Sequence, residues 1–228
     1  MQPLIEIKKE NRFDKRNTKL EQKHLIHKSP YFVDFGEYKL SIDHRVFNPS
    51  YGEGARMFLE NRELLKADKV LDMGAGSGAL GILASQYASS ITGIDISSYA
   101  YNCTLLNYSS HINREKEYLA LQGNLFSPLH ETDSYDLIIF NPPFLEGKPE
   151  NPIQQAMYDE GYGTLKDFFS NAHKHLNDNG RILLCFGEVG DCDLLIQLAT
   201  INGYKTDIAI QKTFSNIKFF VYEFVRKY

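Results

Sequence analysis

Three short polar segments follow apolar runs of the chain, and their residue types suit ligand binding and catalysis. Asp72–Gly78 reads Asp-Met-Gly-Ala-Gly-Ser-Gly, Asp95 follows Gly-Ile, and Asn141–Phe144 reads Asn-Pro-Pro-Phe after Leu-Ile-Ile-Phe. Glycines permit positive φ and let a ligand lie against bare backbone. An acid at a strand end can accept hydrogen bonds from a ribose diol. We therefore expect a ligand site where these segments meet.

The glycine loop at Asp72–Gly78 has three interpretations. A tight strand–helix turn needs fewer glycines than this loop has. A dinucleotide site has the pattern G-x-G-x-x-G, and its third glycine would fall at position 79, which is Ala79. S-adenosylmethionine has no pyrophosphate, and the Asp72 carboxylate can bind its cationic amino group. The spacing favours this third interpretation, while Asp95 suits a ribose in either cofactor class.

Asn141–Phe144 suits methylation of a planar nitrogen. The lone pair of an amide or nucleobase amine is delocalised, so the nitrogen attacks well only when acceptors hold its hydrogens. The Asn141 side-chain oxygen and the Pro142 carbonyl can accept them, Pro143 stiffens the turn, and Phe144 can stack on the acceptor. In-line methyl transfer removes the sulfonium charge, so we expect catalysis by proximity and fixed dipoles, without a metal.

The order of predicted elements indicates an α/β fold. Apolar strands and helices alternate from Lys69 onward, which predicts five parallel strands with helices on both faces. Two final strands, roughly 205–211 and 217–225, have too short a connection for a crossover and predict a terminal antiparallel pair. A helix is expected over 165–176, then a turn at 177–180 and a strand from Arg181. The result is a Rossmann-like, seven-stranded sheet.

The segment before this sheet is basic, whereas the chain as a whole is acidic. The formal charge is −4, which gives no general attraction to phosphate backbones, yet residues 1–28 hold eight Lys and Arg against four Asp and Glu. This basic arm is either a solvated terminus or a segment that holds an acidic or nucleic-acid partner. With a short predicted hairpin over 31–42 it forms a small N-terminal extension, 1–45, ahead of a catalytic domain, 46–228.

Other features predict a cytoplasmic protein without membrane attachment. The three cysteines form no CxxC pair, and no apolar run approaches the length of a membrane span. His173 and His175 lie two residues apart on a predicted helix and face different directions, so we expect no metal site. The long connection over 145–163 is predicted to be a substrate-recognition lid, with Gln154, Tyr158 and Tyr162 as contact residues.

The motifs resemble those of class I S-adenosylmethionine-dependent methyltransferases, in the small-domain superfamily. The resemblance covers roughly Val46 to the C-terminus. HemK-like protein glutamine methyltransferases are similar in Val46–Pro49 and in Tyr158–Gly161, whereas ribosomal-RNA guanine methyltransferases are similar in Asn124–Ser127 and in Asn141–Phe144 followed by Gly147.

This resemblance implies an S-adenosylmethionine-dependent N-methyltransferase acting on a protein glutamine or, alternatively, on an adenine or guanine amine in RNA or DNA. A small-molecule acceptor and a catalytically silent cofactor-binding subunit are further alternatives. Asn124 stands where many members have an acid, and its carbonyl can still accept a bond from the adenine amine. The implied catalytic residues are Asn141, Pro142, Pro143 and Phe144. The implied cofactor-binding residues are Asp72, Gly74, Ala75, Gly76, Gly78, Asp95, Ile96, Asn124, Leu125 and Asn141.

Overall fold

Alternating helices and strands surround one central sheet in the computed structural model, which describes residues 17–227. The helices are α1 (17–25), α2 (Glu53–Glu60), α3 (Ala79–Ala84), α4 (Ser98–His111), α5 (Pro152–Gln155), α6 (Gly163–Ala172) and α7 (Cys192–Ile201). Three 3-10 turns occupy Arg62–Leu65, Glu160–Tyr162 and His173–His175.

Eleven strands form three sheets in the described part of the chain. They are β1 (Tyr31–Phe35), β2 (Tyr38–Ile42), β3 (Lys69–Met73), β4 (Ser90–Asp95), β5 (Glu117–Gln122), β6 (Tyr135–Phe140), β7 (Leu145–Glu146), β8 (Tyr158–Asp159), β9 (Leu176–Gly187), β10 (Tyr204–Phe214) and β11 (Ile217–Arg226). The main sheet has the order β10-β11-β9-β6-β3-β4-β5, while β1 pairs with β2 and β7 with β8.

Strand directions in the main sheet confirm the predicted fold class. β5, β4, β3, β6 and β9 run parallel, and β11 pairs antiparallel with both β9 and β10. Helices α2, α3 and α4 pack into one hydrophobic cluster and α6 and α7 into another, so both faces are covered. Coverage of both faces explains why the central strands β3 and β6 are mostly apolar and buried.

One sequence-based boundary is wrong. The helix expected to continue to Leu176 ends at Ala172, and β9 already begins at Leu176. The expected turn at 177–180 is a bulge inside β9, because Leu176 pairs with Tyr135 and Arg181 with Leu137. Six positions of β9, 176–181, thus face three of β6, 135–137, which accommodates the turn-forming residues without ending the strand.

The N-terminal segment packs on the sheet domain. Phe35, Leu40 and Ile42 of the hairpin are buried in the same cluster as residues of α2, α3 and β3. The basic arm lies largely in residues 1–16, outside the described residues. Within 17–227, no helix is long and apolar enough to cross a membrane.

The register of the sheet brings the three motifs together. Met73 of β3 pairs with Ile94 of β4 on one side and with Phe140 of β6 on the other. The residues that follow these strands therefore leave the sheet at one level. Open α/β sheets bind ligands at this carboxyl edge.

Candidate functional site

A cavity of about 270 Å³ lies at the carboxyl ends of β3, β4 and β6. Nearly all the residues implied as catalytic or cofactor-binding line it: Asp72, Gly74, Ala75, Gly76, Asp95, Ile96, Asn124, Leu125, Asn141, Pro142, Pro143 and Phe144. The fold thus joins residues from Asp72 to Phe144 into one site.

The glycine loop is fixed by backbone geometry. Gly74 and Gly76 have φ values of 63° and 58°, in the left-handed region where other residues are strained. The Ala75 N–H donates to the Ile94 carbonyl at 2.9 Å, which ties the loop to β4. The loop therefore presents bare main chain to the cavity.

Gly78 is the implied cofactor residue that does not line this cavity. It precedes α3 with φ at 77°. A Cβ atom there would lie 2.8 Å from Cε1 of Tyr108. The structure thus gives Gly78 a packing role behind the loop.

Asp72 is buried and Asp95 is partly buried at the cavity. Asp72 is 1% exposed and accepts hydrogen bonds from the Gly81 N–H at 2.8 Å and the Tyr108 hydroxyl at 3.3 Å. Burial raises its pKa to about 7, against the effect of these hydrogen bonds. Asp95 accepts from the backbone N–H groups of Gly76 and Ser97, each at 2.9 Å, and burial raises its pKa also.

The Asn141 side chain, which follows β6, has an unused acceptor. Its Oδ1 atom is buried and makes no hydrogen bond within the described chain. A Cβ atom on Gly54 would overlap this oxygen, so only glycine at position 54 leaves room for the observed Asn141 side chain. The pair of glycines at Gly52 and Gly54 is a sequence signal from which this contact could have been anticipated.

Phe144 is held by an aromatic cluster. Its ring centroid lies 5.6 Å from that of Phe186 and 6.1 Å from that of Phe219. A Cβ atom on Gly187 would lie 3.3 Å from its Cε2 atom. The ring therefore has a defined position beside Asn141, where it can contact a planar group.

The segment predicted as a lid contributes to the cavity, but through other residues than expected. Leu145, Pro152, Gln155 and Met157 line it. Gln154, Tyr158 and Tyr162 are not among its lining residues. Gln154 instead donates to Glu21 of α1 at 3.0 Å, and the Tyr162 hydroxyl accepts from the Asp191 N–H at 3.0 Å.

Helix α1 is a cavity wall that sequence reasoning missed. Asn17 and Leu20 line the cavity. On one side, buried His24 connects the helix to the loop before α2: its Nδ1 donates to the Leu20 carbonyl at 2.8 Å, and its Nε2 accepts from the Asn48 N–H at 2.9 Å. On the other side, Glu21 accepts from Asn151 at 2.9 Å.

Comparison with known proteins gives a family match over most of the chain. The model of the family described as methyltransferase small domain matches residues 37–215. Its first residue, Glu37, lies within the predicted N-terminal extension, in the turn of the β1–β2 hairpin.

Relatives and solved structures of several kinds are similar to the chain. The release factor glutamine methyltransferase of Lactococcus lactis is 30% identical over 68% of this chain and 61% of its own length. The ribosomal RNA large subunit methyltransferase G of Pseudoalteromonas translucida is 28% identical over 70% of this chain and 43% of its own length. The chain thus spans less than two thirds of either relative. The structure of the E. cuniculi Mtq2–Trm112 complex has a TM-score of 0.60 at 17% identity, covering 80% of this chain and 99% of that one.

Proposed function

Because the chain belongs to the methyltransferase small domain family, we propose that it is an S-adenosylmethionine-dependent enzyme that methylates a planar nitrogen. The leading acceptor is the side-chain amide of a protein glutamine. The observation that carries the proposal is at Asn141, which lines the cavity and whose Oδ1 atom is buried without a described hydrogen-bond partner. A buried acceptor left unpaired costs about 1–3 kcal/mol, which a bound N–H group would remove.

The glycine-loop side of the cavity fits the cofactor. Gly74 and Gly76 offer bare backbone, Asp72 offers a carboxylate for a cationic amino group, and Asp95 offers one for a ribose diol. Asn124 can accept from an adenine amine through its carbonyl oxygen. When bound, S-adenosylmethionine supplies a methyl group carried on a positively charged sulfur.

The acceptor side of the cavity, which is formed by Asn141–Phe144 and by the lining residues of α1 and α5, holds and orients the nitrogen. An amide or exocyclic amine has two hydrogens, and the Asn141 Oδ1 atom and the Pro142 carbonyl are two acceptors on adjacent residues. These fixed dipoles aim the nitrogen lone pair and need no reorganisation during the reaction. Phe144 and the apolar residues around it limit access of water, which strengthens these hydrogen bonds.

Two observations favour glutamine as the acceptor. The cavity-lining cation Arg45 is paired with Asp43 through two hydrogen bonds of 2.8 Å, so its charge is already balanced and offers little to a phosphate. The acceptor side is also largely apolar, with Leu20, Phe47 and Met157 in its lining, which suits one extended side chain. The name of the Lactococcus relative is consistent with this choice.

A nucleobase amine is the second candidate acceptor. Lys19 and Lys23 are exposed on α1, the helix whose Asn17 and Leu20 line the cavity, so the described part of the basic arm carries cations near the acceptor side. Cations in such a place can bind a nucleic-acid backbone while a base enters the site.

Transfer of a labelled methyl group tests both proposals. The full chain is incubated with methyl-labelled S-adenosylmethionine and a cell extract, which is then separated into protein and nucleic-acid fractions. Label on glutamine in protein supports the leading acceptor, and label on a base in RNA or DNA supports the second. Absence of enzyme-dependent label from both fractions would contradict the proposed macromolecular acceptors.

The variant Asn141→Ala tests the mechanism. We expect a loss of transfer of at least about 10²-fold, because the acceptor aimed at the nitrogen is removed. Cofactor affinity should fall much less than transfer does, since the glycine loop and both acidic residues are intact. Asn113→Ala, at an exposed position after α4, is the matched control and should retain full transfer. Transfer at the wild-type rate by Asn141→Ala would show that another group holds the nitrogen.

A further inference from the structure

The ring of Tyr108 fills a space behind the glycine loop that three glycines leave open. Tyr108 lies on α4 and has no exposed surface. A Cβ atom on Gly78 would lie 2.8 Å from its Cε1 atom, one on Gly93 would lie 2.7 Å from its hydroxyl oxygen, and one on Gly81 would overlap that oxygen. The loop, α3 and β4 each contribute one of these glycines, so the three elements fix the position of one phenol.

The hydroxyl of Tyr108 reaches the buried carboxylate at the start of the loop. It donates to Asp72 Oδ2 at 3.3 Å, and the Gly81 N–H donates to the same atom at 2.8 Å. The other charged group that acts on Asp72 is the carboxylate of Asp95. Burial raises the pKa of Tyr108 well above its usual value, so the phenol remains a donor at all working pH values.

We propose that Tyr108 is a positioning residue for cofactor binding, whose hydroxyl holds the Asp72 carboxylate ready for the amino group of S-adenosylmethionine. The inference rests on the proposed cofactor and goes beyond it, because Tyr108 is not among the cavity-lining residues and acts only through Asp72. The two hydrogen bonds fix one carboxylate oxygen and stabilise its negative charge. A cation in the loop can then bind without first orienting the side chain.

A dependence of binding on pH follows from this arrangement. Burial raises the pKa of Asp72 to about 7, and the hydrogen bond from Tyr108 opposes this rise. A cationic ligand requires the ionised form, so affinity should fall as the pH drops below about 7. Loss of the Tyr108 hydroxyl should raise the pKa of Asp72 further and move this fall to higher pH.

Equilibrium binding of S-adenosylmethionine to the full chain tests the proposal. Tyr108→Phe keeps the ring that fills the glycine-lined space and removes only the hydroxyl. We expect its affinity to be about 3- to 10-fold weaker near pH 7 and to approach wild type near pH 9. Tyr135→Phe is the matched control, because this buried hydroxyl on β6 hydrogen-bonds Thr92 instead. It should bind with wild-type affinity.

A double-mutant cycle separates positioning from packing. In the Asp72→Asn background, Tyr108→Phe should cause no further loss of affinity, since the carboxylate on which Tyr108 acts is gone. An equal loss in both backgrounds, or a Tyr108→Phe protein that binds like wild type at every pH, would overturn the proposal. Failure of the wild-type chain to bind S-adenosylmethionine would instead overturn the proposed cofactor, and this inference with it.

Discussion

The two sides of the cavity are built in different ways. The cofactor side consists of β3, the glycine loop and the end of β4, and backbone N–H groups hold its two carboxylates. The acceptor side brings together α1 and α5, which side-chain hydrogen bonds join across 130 residues of sequence between Glu21 and Asn151. One side is thus local in sequence and made of main chain, whereas the other is distant in sequence and made of side chains.

This difference indicates how one fold can serve several acceptors. Backbone geometry imposed by Gly74 and Gly76 cannot change without strain, so the cofactor side is preorganised. Contacts such as that of Glu21 with Asn151 can be exchanged by single substitutions that leave the sheet intact. We therefore expect the acceptor side to determine specificity, and changes to each side should be separable in binding and turnover.

The largest effect is expected where the two sides meet, at Gly54. Alanine in a helix is normally more stable than glycine by about 0.5–1 kcal/mol. At this position, however, a Cβ atom would overlap Asn141 Oδ1 and displace the side chain. Gly54→Ala should reduce methyl transfer by about 10²-fold while cofactor affinity stays within about threefold, as measured by turnover and equilibrium binding.

Gly163→Ala is the matched control for this substitution. Gly163 begins α6, and the nearest atom to an added Cβ would be 4.0 Å away, so there is space for it. The control should retain full transfer. If Gly54→Ala also kept wild-type turnover, the position of Asn141 would not limit the reaction.

On the cofactor side, the ionised Asp72 carboxylate should bind ligand but lower the free energy of unfolding of the protein. Burial raises its pKa from 3.8 to about 7. The folded state therefore holds more protons than the unfolded state between about pH 4 and pH 7, and the free energy of unfolding falls as the pH rises through that window. Asp72→Asn should remove this fall, by up to roughly 4 kcal/mol, while weakening cofactor binding about 10-fold or more.

Thermal melts of the ligand-free protein measure how much stability the buried Asp72 carboxyl costs at each pH. The melting temperature of Asp72→Asn relative to wild type should be higher near pH 8 than near pH 5. Asp95 is present in both proteins, so its contribution cancels apart from its interaction with Asp72. A difference between the two proteins that is the same at both pH values would show that Asp72 ionises at its ordinary pKa in the folded state.

The same contrast explains what the sequence could predict. The glycine loop, Asp95 and Asn141 each end an apolar strand, so strand prediction alone placed them at one edge, and the family match confirms the resemblance drawn from them. The motif alone does not distinguish a glycine that lines the cavity, such as Gly74, from one that packs against Tyr108, as Gly78 does. Helix α1 could not be predicted as a wall, because its polar residues show weak periodicity and its partners are distant in sequence.

The smallest effect, and the one that best isolates the acceptor side, is expected at His24. Its ring is 1% exposed, and burial lowers its pKa, so the neutral ring can donate through Nδ1 and accept through Nε2. His24→Ala leaves the buried Asn48 N–H unpaired, at a cost of about 1–3 kcal/mol, and should loosen α1. Trypsin cleavage after Lys19 and Lys23 should become about tenfold faster, and the KM for the acceptor should rise. Cofactor affinity should not change.

His27→Ala is the control, because that ring stacks on Tyr31 at 3.6 Å and is partly exposed. It should change cleavage by less than about threefold.

Acidification should reproduce the effect of His24→Ala in the wild-type protein. Because the folded pKa of His24 is lowered, its stabilising contribution is present above about pH 6.5 and is lost as the pH falls through the folded value. If acid accelerates cleavage equally in wild type and His24→Ala, another group attaches α1 to the core. If cleavage and cofactor affinity change together, the two sides of the cavity form one cooperative unit and are not independent of each other.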